Sequence, residues 1–231
     1  MMNSMDFQIE TVTLKEDMNH KGKVVLRYRI DYPRCRSRRF SAAAAGMNEL
    51  YRKRALLFQR YCRKKLFPLA AEQYEYAIAN KFPLMTYEAE RKFTLTYLAG
   101  CAASLYTDEY VFTGGAHGNT VRRAETWNLK NGKRMALQQF FTRPSYRGTI
   151  FRVIERQMEK QLKENPTAYF DNDKTAIREE FDPQQFYLCA TGVVVYYQHY
   201  DIAPYSSGIP AFVIPFGGGL VRKPRCGPGE H

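Results

Sequence analysis

Residues 86–98 read Thr86-Tyr-Glu-Ala-Glu-Arg-Lys-Phe-Thr-Leu-Thr-Tyr-Leu98. Tyr87, Ala89, Phe93, Leu95 and Tyr97 fall on one side of an extended chain, and Glu88, Glu90, Lys92, Thr94 and Thr96 on the other. Alternation of this length predicts a half-exposed strand of an antiparallel sheet. Gly100 predicts a turn, and 101–112 a second strand whose two apolar faces place it centrally. Residues 119–130 predict a third strand with Val121, Trp127 and Leu129 on one side, closed by the tight-turn pair Asn131-Gly132.

Working outward, 7–14 and 22–32 alternate as two further strands, with Val24, Leu26, Tyr28 and Ile30 sharing a face. Between them and residue 86 lies helical periodicity. Met47, Leu50, Tyr51, Phe58, Tyr61 and Cys62 recur on one face of a helix over 41–66, with Ser41 as its N-cap. Pro68 predicts an interruption before a second helix over 69–81. Downstream, 137–141 read as a short helical turn. Tyr146, Ile150, Val153, Ile154, Met158 and Leu162 predict an amphipathic helix over 145–163, ended at Asn165-Pro166. Residues 185–189 and 193–200 predict two strands, and 209–216 a last one. Pro210 and Pro215 put that last strand at a sheet edge, because proline has no N–H for the ladder.

Strands and helices are segregated rather than alternating. The predicted class is therefore α+β, a mainly antiparallel curved sheet with amphipathic helices packed on it. The expected division is 1–112, 113–220 and a flexible tail over 221–231, the tail being rich in Gly, Pro and charge.

At 45% hydrophobic and 25% charged residues, the 231-residue chain has enough apolar surface to fold, which excludes a disordered or low-complexity class. No apolar run of spanning length occurs. Five cysteines, an odd number without CxxC spacing, predict no disulfide framework and no thiolate zinc site. No cofactor is predicted.

The net charge of +12 is concentrated. Residues 21–65 hold fifteen basic and two acidic side chains, whereas 1–20 sum to −3 and 66–231 to +2. Arg52, Lys53, Arg60, Arg63 and Lys64 form the polar face of the first helix. Such a face attracts an anionic polymer or an acidic membrane surface. A plainly solvated basic face is the simpler reading, and no nucleic-acid motif accompanies it.

Two segments carry distinctive chemistry. The first is Thr113-Gly-Gly-Ala-His-Gly-Asn-Thr120. Gly114 and Gly115 permit backbone conformations that present N–H groups to an anion, and His117 is a candidate base or hydrogen-bonding group. The segment lacks the Lys-Ser/Thr of a phosphate loop, so a structured sheet connection is the rival reading. The second runs from Tyr196 to Pro210 and contains Tyr200, Asp201 and Tyr205. Its phenols offer rigid amphipathic contact area, as in binding surfaces, or else an aromatic cluster at the core edge. No nucleophile elbow or Ser/His/Asp order is present.

Together with Trp127-Asn-Leu-Lys-Asn-Gly-Lys133, Phe140-Phe141, Phe186-Tyr-Leu188, Gly208-Ile-Pro210 and Ile214-Pro-Phe216, these segments resemble a bacterial domain of unknown function. That domain forms the C-terminal half of RsiV-type anti-sigma factor ectodomains and also occurs beside the catalytic domain of PdaC-type peptidoglycan deacetylases. The resemblance spans roughly 110–216, and 7–110 resemble the companion domain that precedes it. It implies an α+β fold with an antiparallel sheet, and work at the cell envelope, where RsiV-like members bind lysozyme. The sequence departs from these relatives in showing no spanning helix, sigma-binding segment, deacetylase domain or export signal, so neither the anti-sigma role nor deacetylation is expected.

What the resemblance implies is a non-catalytic bacterial binding or sensing module for an envelope polymer or a protein such as lysozyme. Gly114, Gly115, His117, Tyr200, Asp201 and Tyr205 are expected to share one rim. Two alternatives stand beside it: a hydrolase using His117, and a polyanion binder using residues 34–65. The missing leader and unpaired cysteine count point to the cytoplasm, whereas the resemblance points outside it.

Overall fold

A computed structural model of the protein describes residues 6–170 and 173–226. It contains a six-stranded sheet in the order β1-β2-β3-β4-β5-β6 and a three-stranded sheet β7-β8-β9. The strands are β1 Gln8–His20, β2 Lys23–Arg36, β3 Tyr87–Ala99, β4 Ala102–Phe112, β5 Asn119–Asn128, β6 Lys133–Arg134, β7 Phe186–Leu188, β8 Gly192–Tyr196 and β9 Ala211–Pro215. The helices are α1 Ser41–Tyr61, α2 Phe67–Asn80, α3 Tyr146–Glu164 and α4 Asp173–Glu179. The α+β class and the mainly antiparallel sheet are those expected. β4 lies inside its sheet and β9 at an edge, as the apolar faces of one and the prolines of the other predict.

The β2–β3 pair departs from the antiparallel pattern. β2 and β3 run parallel, Leu26 opposite Tyr87 through Ile30 opposite Arg91. Their connection is the long α1–α2 crossover, and a parallel pair requires such a connection. β1 and β2 are joined by only Lys21 and Gly22 and pair antiparallel.

Contacts group the chain into two units, residues to 93 with 107–121, and 94–106 with 122 onward. The division expected from sequence is sequential, at 112/113. β3, β4 and β5 each contribute to both units.

In the first unit the helical segment lies on β2 and β3. Ala55, Phe58, Cys62, Leu66 and Ala70 are buried with Leu26, Tyr28, Ile30, Tyr87 and Ala89. Burying aliphatic and aromatic side chains stabilises by about 1.5–3 kcal/mol each. Pro68 does not interrupt the helix. A π-helical turn over Cys62–Leu66 joins α1 to α2, and the Phe67 N–H reaches back to the carbonyl of Cys62. Proline lacks the N–H and its ring collides with the carbonyl four residues back; the wider turn relieves that collision. Ser41 is the first helical residue rather than the cap, and the hydroxyl at this end is that of Ser37, accepting from the Phe40 N–H at 2.9 Å. Two residues expected on buried faces, Tyr61 and Leu95, are 42% and 39% exposed. Arg91, by contrast, is buried on the inner face of β3, paired with Glu109.

In the second unit Ile150, Ile154 and Met158 of α3 pack on Val193, Val195, Phe212 and Ile214 of the small sheet, with Leu137 and Phe140 from a 3-10 turn. Their spacing is the one that predicted this helix. α4, with few apolar residues to mark it, was not foreseen. Cys101 and Cys226 form a disulfide, contrary to the reading of the cysteine count. Cys35, Cys62 and Cys189 remain as thiols. The pairing depends on where the chain end goes. Val221 bridges to Phe141, and the Arg222 N–H donates to the Phe140 carbonyl at 2.7 Å, so 221–226 are tied down rather than loose. The last five residues of the expected tail, 227–231, lie outside the described residues. No described helix is long and apolar enough to cross a membrane.

Candidate functional site

The His117 loop belongs to the first unit and connects β4 to β5. Gly114 and Gly115 take φ of +104° and +90°, which disfavour any side chain. Gly118 is buried for a different reason: a Cβ there would stand 2.4 Å from the Tyr110 ring and 2.6 Å from the Val111 carbonyl oxygen. All three glycines therefore have backbone reasons to be there, as the sheet-connection reading supposes. His117 is exposed, and its Nδ1 lies 2.9 Å from the Gly118 carbonyl oxygen. A carbonyl only accepts, so Nδ1 carries the proton in this contact.

The aromatic segment belongs to the second unit. Gln198 is fixed to the edge of β5 by its side chain. Its Oε1 accepts from the Arg122 N–H at 3.0 Å, and its Nε2 donates to the Arg122 carbonyl at 2.8 Å. A turn follows, in which the Gln198 N–H donates to Asp201 Oδ2 at 2.7 Å. Asp201 thus serves its own turn. Tyr200 sits in that turn at φ +69°, and the residue is 53% exposed. Tyr205 stacks on His199 with centroids 4.6 Å apart, and the Tyr200 ring lies 6.1 Å from that of Tyr205.

The 3-10 turn Tyr205–Ser207 also borders a groove that the sequence did not reveal. The Ser207 hydroxyl donates to the Ala168 carbonyl at 2.8 Å, and the Phe170 N–H to the Ile202 carbonyl at 3.1 Å. These bonds hold 168–170 beside 202–207. The space between this turn and the end of α3 is about 440 Å³, lined by Gln161, Glu164, Asn165, Tyr169, Ser207 and Ile209 among others. Polar residues on the outer side of a helix end read as solvated surface, which is why no pattern singled them out.

Of the basic candidates, Arg52, Lys53, Arg60 and Lys64 are exposed along α1 and the π turn. The first three line a surface groove of about 370 Å³ with Glu49, Leu56 and Leu57. Arg63 is different. Its guanidinium pairs with Glu16 at 2.8 Å and donates to the Tyr28 hydroxyl at 3.3 Å.

The hydrolase alternative requires His117 with Tyr200 or Asp201. Asp201 Oδ2 already accepts from the Gln198 N–H at 2.7 Å. Among the described residues no group of three or more His, Cys, Asp or Glu side chains is placed to hold a metal ion.

The family model described as protein of unknown function DUF3298 matches residues 139–217, and that described as deacetylase PdaC matches 19–120. Anti-sigma-V factor RsiV of Bacillus subtilis (strain 168) is 29% identical over 109 residues, covering 46% of this chain and 38% of that protein. The chain thus spans well under half the length of this relative. Among solved structures, a DUF3298 family member from Bacteroides fragilis NCTC 9343 superposes with a TM-score of 0.68 at 17% identity, covering 93% of this chain and 92% of that one. A DUF3298 family protein from Pseudomonas aeruginosa PAO1 gives 0.59 at 20% identity, covering 99% of each. At these identities the two structures show the fold alone. Residues 139–217 are thus similar to the DUF3298 family and residues 19–120 to PdaC, which together with the RsiV likeness supports an RsiV-like domain preceded by a PdaC-like companion region.

Proposed function

We propose that this protein is a non-catalytic binding and sensing module, and that it recognises an envelope polymer or a protein such as lysozyme. The likeness to an anti-sigma factor over 109 residues carries the reading. Two further features support it. The His117 loop connects β4 to β5 and the Tyr200–Tyr205 turn lies between β8 and β9, so both are surface connections between strands, suited to recognition. The Cys101–Cys226 disulfide suits an oxidising compartment rather than the cytoplasm.

The test is calorimetric titration of the full chain with lysozyme and with soluble peptidoglycan fragments, repeated for His117→Ala and Tyr205→Ala. Saturable binding of at least one ligand, weakened in one of the variants, is expected. Absence of binding to either ligand overturns the reading.

A second reading rests on the exposed Arg52, Lys53, Arg60 and Lys64. On this reading the helix face holds an anionic polymer, and retention on heparin falls steeply with salt as counterions compete for the cations. Elution from heparin at the same low salt for the native chain and for Lys53→Glu/Arg60→Glu would remove it.

A further inference from the structure

We infer that the groove between the end of α3 and the Tyr205–Ser207 turn is a saccharide-binding site, continued by the exposed Tyr200 ring and the half-buried Tyr205 ring beside it. The inference deepens the binding-module reading by naming a ligand class and a place for it.

The argument starts from which polar atoms in the groove are already committed. The Tyr169 hydroxyl donates to Gln161 Oε1. Asn165 Oδ1 accepts from both the Thr167 N–H at 3.2 Å and the Thr167 hydroxyl at 3.0 Å. The acceptor ends of both carboxamides are therefore satisfied within the chain, and their NH₂ groups are the ends left to donate. Glu164, between them in sequence, supplies a carboxylate that only accepts. Ser207 spends its proton on the Ala168 carbonyl, so its oxygen also accepts.

The groove thus offers fixed donors and fixed acceptors over a short span. Each sugar hydroxyl is at once a donor and an acceptor and matches that alternation. Ile209, Pro210 and Ala168 provide apolar surface for the C–H face of a ring. Among the described residues no Lys, Arg or His lines the space, which disfavours an anionic ligand. A volume of about 440 Å³ lies in the range of small-ligand sites.

The same turn carries the aromatic part. Tyr205 and Ser207 are two residues apart in one 3-10 turn, and Tyr200 offers a ring that is 53% exposed beside Tyr205. Tyr200 is held at φ +69°, a conformation costly for a bulky side chain. Strain of this kind concentrates at ligand-holding sites.

A peptide added as a strand to β9 is the competing occupant of this side. The Val213 carbonyl, which faces away from β8, is already taken by Gln157 Nε2 at 2.9 Å. Pro215 ends β9 and has no N–H to give on that outer side. The edge therefore lacks the open ladder that strand addition needs.

The experiment is titration of the full chain with an N-acetylglucosamine tetramer and with a glucose tetramer, alongside lysozyme. Saturable binding of at least one tetramer is expected. Gln161→Ala and Glu164→Ala, both at exposed positions and checked for native melting, should each weaken it tenfold or more. Tyr200→Ala should weaken it as well, and Glu88→Gln at an exposed position of β3 should leave it unchanged. Failure of both tetramers to bind at millimolar concentration, or equal affinity in the Gln161→Ala/Glu164→Ala double variant, overturns the inference. If lysozyme binds while the sugars do not, the saccharide site falls and the binding-module reading stands. If neither lysozyme, tetramer nor peptidoglycan fragment binds, both fall.

Discussion

Tyr200 is the residue whose backbone and side chain make opposite demands. Its φ of +69° falls where glycine or asparagine is favoured, yet the position holds a large exposed ring. Replacing it with Asn should relieve the backbone and stabilise the fold by about 1 kcal/mol, read as a higher urea midpoint. If the position is a ligand contact, the more stable variant is the weaker binder. An unchanged or lower midpoint would show that the ring contact with Tyr205 outweighs the strain. The buried thiols make a second residue-scale prediction. Burial pushes Cys35 and Cys62 from the usual value of 9.0 up to about 12. In the unfolded chain these thiols ionise near 9, whereas in the fold they stay protonated. Their contribution is therefore complete below about pH 9 and is lost as pH rises from there to about 12. Denaturation midpoints across that window should fall, and the slope should flatten in a Cys35→Ala/Cys62→Ala variant. At pH 8 an alkylating reagent should label Cys189, which is partly exposed, well before the other two.

At the scale of elements, α3 owes its place to three side chains. Ile150, Ile154 and Met158 are at most 2% exposed, and they recur at the spacing that made the helix readable before any fold was known. Ile154→Ala should cost about 2–5 kcal/mol, measurable by urea titration, because the cavity left against Phe212 and Ile214 cannot fully close. A loss under about 1 kcal/mol would mean that α3 is only loosely seated. β3 was legible for the same reason, a period that matches one geometry. Where the period was misleading, the cause was local. Pro68 reads as a stop only if every turn is α-helical, and a turn of five residues admits it. Arg91 breaks the apolar alternation of β3, but its burial depends on Glu109, eighteen residues away on the neighbouring strand. The groove at the end of α3 was not legible at all. Gln161, Glu164 and Asn165 carry no period, and their significance comes from Tyr169, Thr167 and Ser207 fixing which of their atoms remain to bind. The Tyr200–Tyr205 cluster, by contrast, announced itself by composition.

For the molecule as a whole, the cysteine arithmetic failed because parity says nothing about which pair the fold brings together. Cys101 and Cys226 are 125 residues apart, and only the path of 220–226 beside 140–142 delivers one to the other. A loop of that length is worth about 5 kcal/mol in the chain-entropy account, and native disulfides usually give 2–5 kcal/mol. Reduction, or Cys226→Ala, should lower stability by that amount in denaturant titration. An identical midpoint with and without reductant, with an intact mass showing every thiol free, would remove the bridge from the description.

The bridge has another consequence. The stretch matched to DUF3298, residues 139–217, lies wholly inside the ring that it closes. A protease that nicks the backbone once anywhere between the two cysteines leaves a single particle whose halves part only when an electron donor cleaves the sulfur link. On a denaturing gel the clipped protein should run as one species when oxidised and as two when reduced.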